Sequence, residues 1–171
     1  MSKALVVYQS KYGGAKVYAE WLKSKTGCDI AERREVTEAK LREYSCVIFG
    51  GGVYAGRIAG LSFVKKNSAL LSGKRTAVFA VGATESSEEL LKNLRNANFT
   101  SEMSGMPFFY CRGKFDLQKM KGLDKMIIRM VQKAKNNNDA SENGGGTFAG
   151  DVSDWTDEKY LEPVLKFLAG I

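Results

Sequence analysis

No histidine occurs anywhere in the 171 residues. That excludes His-based triads, His-ligated metals and haem, and the ordinary general base near pH 7. An enzyme built this way borrows its chemistry from a cofactor, and no metal site is expected. Cysteine is scarce: Cys28, Cys46 and Cys111 are scattered and show no C-x-x-C spacing. Zinc and thioredoxin-type sites are therefore not expected, and the three should be free, mostly buried thiols. No apolar run approaches the ~20 residues that span a bilayer. The chain enters a strand almost at its first residue, which leaves no room for a signal peptide and predicts a cytoplasmic protein. Neither G-x-x-x-x-G-K-[ST] nor G-x-G-x-x-G occurs. Nucleoside-triphosphate hydrolysis and ordinary NAD binding both lose ground.

The net charge is +7 and unevenly spread. Between Arg112 and Lys135, eight cations (Arg112, Lys114, Lys119, Lys121, Lys125, Arg129, Lys133 and Lys135) face two carboxylates, Asp116 and Asp124. A local basic patch suggests an anionic partner: a membrane surface, an acidic ligand or nucleic acid. Nucleic acid ranks last, because the patch lacks interleaved stacking aromatics.

Apolar runs and amphipathic stretches alternate, and the length suits one domain over residues 1–171. Strands are predicted over 5–8, 28–36, 46–49, 76–81 and 107–111. Helices are predicted after 17, over 37–44 with Thr37 as cap, over 61–71, after a Ser86/Glu89 capping box, and over 157–168, where Pro163 kinks or delays it. After strand 5, Leu117, Met120, Leu123, Met126, Ile127, Met130 and Val131 recur at helical spacing among Lys and Arg. An extra basic helix is predicted there. Its apolar stripe reads as core or as membrane contact, and its charges as a binding patch or a solvated face. A doubly wound α/β fold follows, with five parallel strands in the order 2-1-3-4-5. Such sheets bind ligands at the C-terminal strand ends, beside the switch between strands 1 and 3.

Three loops fall at those ends. Ser10-Lys11-Tyr12-Gly13-Gly14-Ala15 joins strand 1 to a helix. Its glycines permit close backbone approach, and the helix N-terminus adds partial positive charge, which makes a phosphate cradle. The second loop, Gly50 to Gly56, includes Gly51, Gly52, Val53, Tyr54 and Ala55. The third carries Gly82, Ala83, Thr84 and Glu85, and no aromatic.

With Ser10 and Gly13 matching [ST]-x-x-G-x-[TS], the chain resembles the flavodoxin family. The resemblance implies that the first loop holds the phosphate of flavin mononucleotide (FMN). It implies that glycine in the second loop lets a peptide flip toward the flavin, and that Tyr54 stacks on the ring unless it is an ordinary loop aromatic. Ala15 departs from the usual hydroxyl. A lost charge-assisted hydrogen bond costs roughly 1.5–3 kcal/mol. Without an aromatic on the third loop, one flavin face stays open to a substrate.

Arg112-Gly-Lys-Phe-Asp, Leu123-Asp-Lys-Met-Ile-Ile-Arg-Met-Val-Gln-Lys, Phe63-Val-Lys-Lys and Ser153-Asp-Trp155 narrow the resemblance to flavodoxin-domain proteins of the menaquinone-dependent protoporphyrinogen dehydrogenase type. This implies an FMN oxidoreductase of haem biosynthesis that takes hydrogens from a porphyrinogen and passes electrons to a quinone. Lys114, Lys119, Lys121, Lys125 and Arg129 would meet the carboxylate edge of that substrate or an anionic membrane, placing the protein peripherally at its inner face. The alternative is a flavodoxin-type carrier shuttling electrons between redox proteins.

Overall fold

The computed structural model describes residues 3–122, 125–126, 129 and 152–170. Five parallel strands build the sheet: β1 (Ala4–Gln9), β2 (Asp29–Glu32), β3 (Cys46–Tyr54), β5 (Arg75–Gly82) and β6 (Phe108–Arg112). Their spatial order is β2-β1-β3-β5-β6, and β4 (Arg57–Ile58) hangs antiparallel on the end of β3. Counting the parallel strands alone, this is the expected 2-1-3-4-5 order of a flavodoxin-like α/β fold.

Both faces of the sheet are covered, which explains why its strands read as nearly continuous apolar runs. Successive side chains point to opposite faces. Val6, Ile48, Phe79 and Cys111 pack beneath α1 (Gly14–Thr26) and α6 (Glu162–Ala169), meeting Tyr18, Leu22 and Val164. Leu5, Val7, Phe49 and Val78 face the other way. They meet Leu41 of α2 (Glu38–Arg42), Val64 of α3 (Ser62–Lys66) and Leu71 of α4 (Ser68–Leu71). All three cysteines are free and buried, as expected.

Several boundaries differ from the sequence expectation, each for a local reason. Strand β3 continues through Gly50–Tyr54, because β5 pairs with it as far as Gly52 and β4 takes over beyond. The helix predicted over 61–71 breaks at Asn67, whose Nδ2 donates to the Phe63 carbonyl at 2.8 Å and competes with the backbone ladder. Ser87, not Ser86, caps α5 (Glu88–Asn98): its Oγ accepts from the Leu90 amide. Thr37 caps α2 as predicted. Strand β2 stops at Glu32, and Arg33–Glu35 form a 3-10 turn. Pro163 delays the last helix, which starts only after a 3-10 turn over Glu158–Leu161.

The chain after β6 enters a strand before any helix. β7 (Lys114–Asp116) pairs antiparallel with β8 (Val152–Asp154). Lys125, Met126 and Arg129 are helical; the rest of the predicted basic helix, apart from Leu117–Gly122, lies outside the described residues.

Candidate functional site at the C-terminal strand ends

The first loop leaves β1 at Gln9 and enters α1 at Gly14. Gly13 takes a left-handed φ of +91°, a conformation costly for any side-chain-bearing residue, and so turns the chain sharply into the helix. No side chain caps the first turn of α1 and no acidic residue lies in it. The N–H groups of a first turn have no intrahelical partner, so they point outward as donors. Ser10 Oγ is buried without a hydrogen-bond partner among the described residues. A Cβ on Gly14 would lie 3.1 Å from Val81 Cγ1, so the loop sits directly on the end of β5. An orphaned hydroxyl, a left-handed glycine and an uncapped helix N-terminus together suit a phosphate. Ala15 is only 1 % exposed and packs into the core under α1.

The second segment forms a tight hairpin in place of a loop. Tyr54 pairs with Arg57 across Ala55 and Gly56, both at positive φ. Such two-residue turns match the twist of a hairpin. Ala55 is the one non-glycine at positive φ among the described residues, a conformation that costs an L-residue roughly 1–2 kcal/mol. Gly51 and Gly52 pair with β5, and the Gly52 carbonyl accepts from the Ala59 amide at 2.8 Å. Gly51 and Gly52 are therefore held in the ladder, whereas Gly56 lies in the turn at a φ of +74°. Tyr54 lies with its hydroxyl 2.6 Å from the place a Cβ on Gly52 would occupy. Its ring meets Tyr12 edge to face, centroids 5.6 Å apart. Lys11 Nζ stands 5.4 Å from the Tyr12 ring and 5.8 Å from the Tyr54 ring. Loops one and two thus touch through their aromatics.

The third loop is fastened from β6. Tyr110 donates to the Thr84 carbonyl at 2.7 Å and Arg112 Nε to the Ala83 carbonyl at 3.1 Å. Burial pushes the Tyr110 phenol well above its ordinary pKa, so it remains a neutral donor. Glu85 is exposed at the tip. The loop brings no aromatic, but the fold supplies one from elsewhere. Trp155, just after β8, packs with Tyr12 and Ala83 over Phe115, Leu117 and Met120. The Arg112 guanidinium lies 4.4 Å from its ring centre. Sequence reasoning did not place Trp155 at the site. It lies far along the chain, and β7 and β8, three residues each, bring it back.

The basic positions divide. Lys114 pairs with Asp154 at 3.1 Å and Lys119 with Asp116 at 3.5 Å, so these two are partly neutralised. Lys121, Lys125 and Arg129 form no ion pair with a described residue. Leu117 and Met120 are buried, which makes that part of the apolar stripe core; Met126 is 48 % exposed.

A family model described as a flavodoxin domain matches residues 5–142. Among solved structures, the Trp repressor binding protein of Bacillus subtilis is similar at 16% identity and TM-score 0.49, over 82% of this chain and 100% of that one. A WrbA-like flavodoxin of Agrobacterium tumefaciens is similar at 19% and 0.46, over 81% and 100%. A flavoprotein of Lactobacillus acidophilus, solved in complex with FMN, is similar at 14% and 0.42, over 66% and 93%. No curated protein matches the chain.

Proposed function

Because the chain belongs to the flavodoxin-domain family, we propose that it is an FMN-binding oxidoreductase that takes hydrogens from a porphyrinogen and delivers electrons to a quinone. The observation that carries the cofactor is the buried Ser10 hydroxyl, without a hydrogen-bond partner among the described residues, beside the uncapped start of α1. Ser10 and the first-turn amides hold the phosphate. Tyr54 turns from Tyr12 onto the ring, where stacking contributes ~0.5–1.5 kcal/mol beyond burial. Bound FMN supplies the hydride and single-electron chemistry that a chain without histidine lacks. The third loop has no aromatic of its own and Trp155 borders it beside Ala83, so a flat apolar substrate would enter along the Trp155 side. Lys121, Lys125 and Arg129 give its carboxylates, or an anionic membrane surface, a positive counterpart. No described helix is long and apolar enough to cross a membrane.

The test is anaerobic mixing of FMN-loaded protein with protoporphyrinogen and a menaquinone analogue. Appearance of porphyrin fluorescence at a rate proportional to protein supports the enzyme. Tight FMN binding without turnover leaves the electron carrier. No flavin absorbance after reconstitution removes both.

A further inference from the structure

A second cleft opens on the other side of the first loop. It holds about 480 Å³ and is lined by Gln9, Ser10, Lys11, Glu32, Arg33, Arg34, Tyr54 and Ala59. That volume lies within the range of small-molecule sites. Gln9 shares a sheet face with Leu5 and Val7, the face covered by α2 and α3. Helix α1, with the phosphate cradle at its N-terminus, covers the opposite face. The cleft is therefore distinct from the cradle, although Ser10 and Lys11 border both.

Its chemistry is one-sided. Among the described residues that line it, Arg33 and Arg34 stand beside one carboxylate, Glu32. Arg34 pairs with Glu32 at 3.0 Å; Arg33 has no ion-pair partner among the described residues. Both arginines are exposed and stand consecutively on the 3-10 turn that ends β2. Guanidinium forks suit phosphate and carboxylate oxygens in bidentate pairs. Gln9 Oε1, which the cradle does not use, is buried without a hydrogen-bond partner among the described residues. An amide oxygen in that state needs a donor, so a ligand that also carries hydroxyl or N–H groups fits better than a bare anion. Tyr54 and Ala59 offer an apolar wall for a ring.

We propose that this cleft binds the phosphate-bearing end of a nucleotide: Arg33 and Arg34 take the phosphate, and its sugar hydroxyls reach the Gln9 side of the cleft. The site adjoins the redox centre across Tyr54, where a regulatory nucleotide would sit.

The probe is ADP, titrated calorimetrically into FMN-saturated protein at low ionic strength. Saturable binding is expected, weakened about ten- to a hundredfold in Arg33→Gln/Arg34→Gln, the scale of lost charged hydrogen bonds. FMN affinity should not change in that variant. A wild type that ignores ADP, or a double variant that binds it equally, overturns the site. ADP displaced by FMN overturns it too, because the nucleotide would then occupy the Ser10 cradle. If glutarate displaces ADP better than pyrophosphate does, the cleft is a dicarboxylate site and the nucleotide assignment fails. ADP bound through Arg33 and Arg34 in a protein that takes up no flavin would leave this site standing and sink the redox reading alone.

Discussion

The phenol of Tyr18 donates to the backbone carbonyl of Arg112 at 2.5 Å. The same oxygen accepts from the Asp157 amide at 3.2 Å. Tyr18 is fully buried. Burial is the main cause that pushes its pKa far above the ordinary phenol value, so the hydroxyl stays neutral and keeps donating. One oxygen thus ties α1, the end of β6 and the segment carrying Trp155. Tyr18→Phe leaves a carbonyl and an amide without this partner. The expected loss is about 1–3 kcal/mol in urea unfolding, together with a shift in Trp155 emission. An unchanged midpoint would mean that water replaces the hydroxyl at no cost.

Ser10→Ala should act in opposite directions on two measurements. The hydroxyl has no hydrogen-bond partner among the described residues, so its removal relieves a desolvated polar group and stability holds or rises. With FMN the same hydroxyl meets a phosphate, and its loss weakens binding about ten- to a hundredfold. Differential scanning of the flavin-free protein and fluorescence titration with FMN read the two effects. Destabilisation of the flavin-free protein with unchanged affinity would make Ser10 a structural residue.

The parts legible in the sequence were those that repeat. Leu5–Val7, Val47–Phe49 and Ala77–Val81 are buried on both faces of the sheet, so each reads as an unbroken apolar run, and the order followed from alternation with helices. The first loop was legible because Ser10 and Gly13 stand between a strand and a helix. The second reads as loop in the sequence, since glycine in Gly50–Gly52 signals a turn, whereas pairing with β5 holds it extended. β7 and β8 were not legible: Lys-Phe-Asp and Val-Ser-Asp hold one apolar residue each, and only their mutual pairing makes them strands. For the same reason Trp155, placed by that pairing, escaped the site assignment. The Arg33–Arg34 cleft escaped because it depends on where β2 ends.

The cysteines should be inert in the folded protein. Burial raises all three thiol pKa values, that of Cys111 to about 12. Because the thiolate is the nucleophile, a raised pKa lowers reactivity at every pH below it. Labelling with a thiol reagent at pH 8 should be far slower in native than in urea-unfolded protein, with Cys111 slowest by mass-spectrometric mapping. Rapid native labelling at Cys111 would show that β6 opens locally.

Acid should loosen the β7–β8 pair. Burial works to raise the Asp154 pKa, but the Thr156 hydroxyl and amide and the Lys114 ammonium outweigh it and hold the carboxyl below its ordinary 3.8. A depressed carboxyl contributes stability that is fully present above the unfolded value and is lost as pH falls through the folded one. Trp155 emission should therefore change below about pH 4, and Asp154→Asn should flatten that change. A profile identical in the variant would assign the transition to other carboxylates.

Charge reversal tests the basic surface, and the ion pairs grade its outcome. Each Lys near an anionic membrane contributes about 1 kcal/mol, so Lys119→Glu, Lys121→Glu and Lys125→Glu combined should lower affinity for phosphatidylserine vesicles by roughly a hundredfold or more. Porphyrinogen turnover should fall with it, while FMN affinity holds, because the three lie outside the cradle. Lys119 already has Asp116 at 3.5 Å, so its single reversal should cost less than that of Lys121, which has no ion pair among the described residues. The difference should shrink as salt rises, since screening acts over about 10 Å at moderate ionic strength. Unchanged vesicle binding and unchanged turnover in the triple variant would remove these lysines from both roles and leave them as solvated surface.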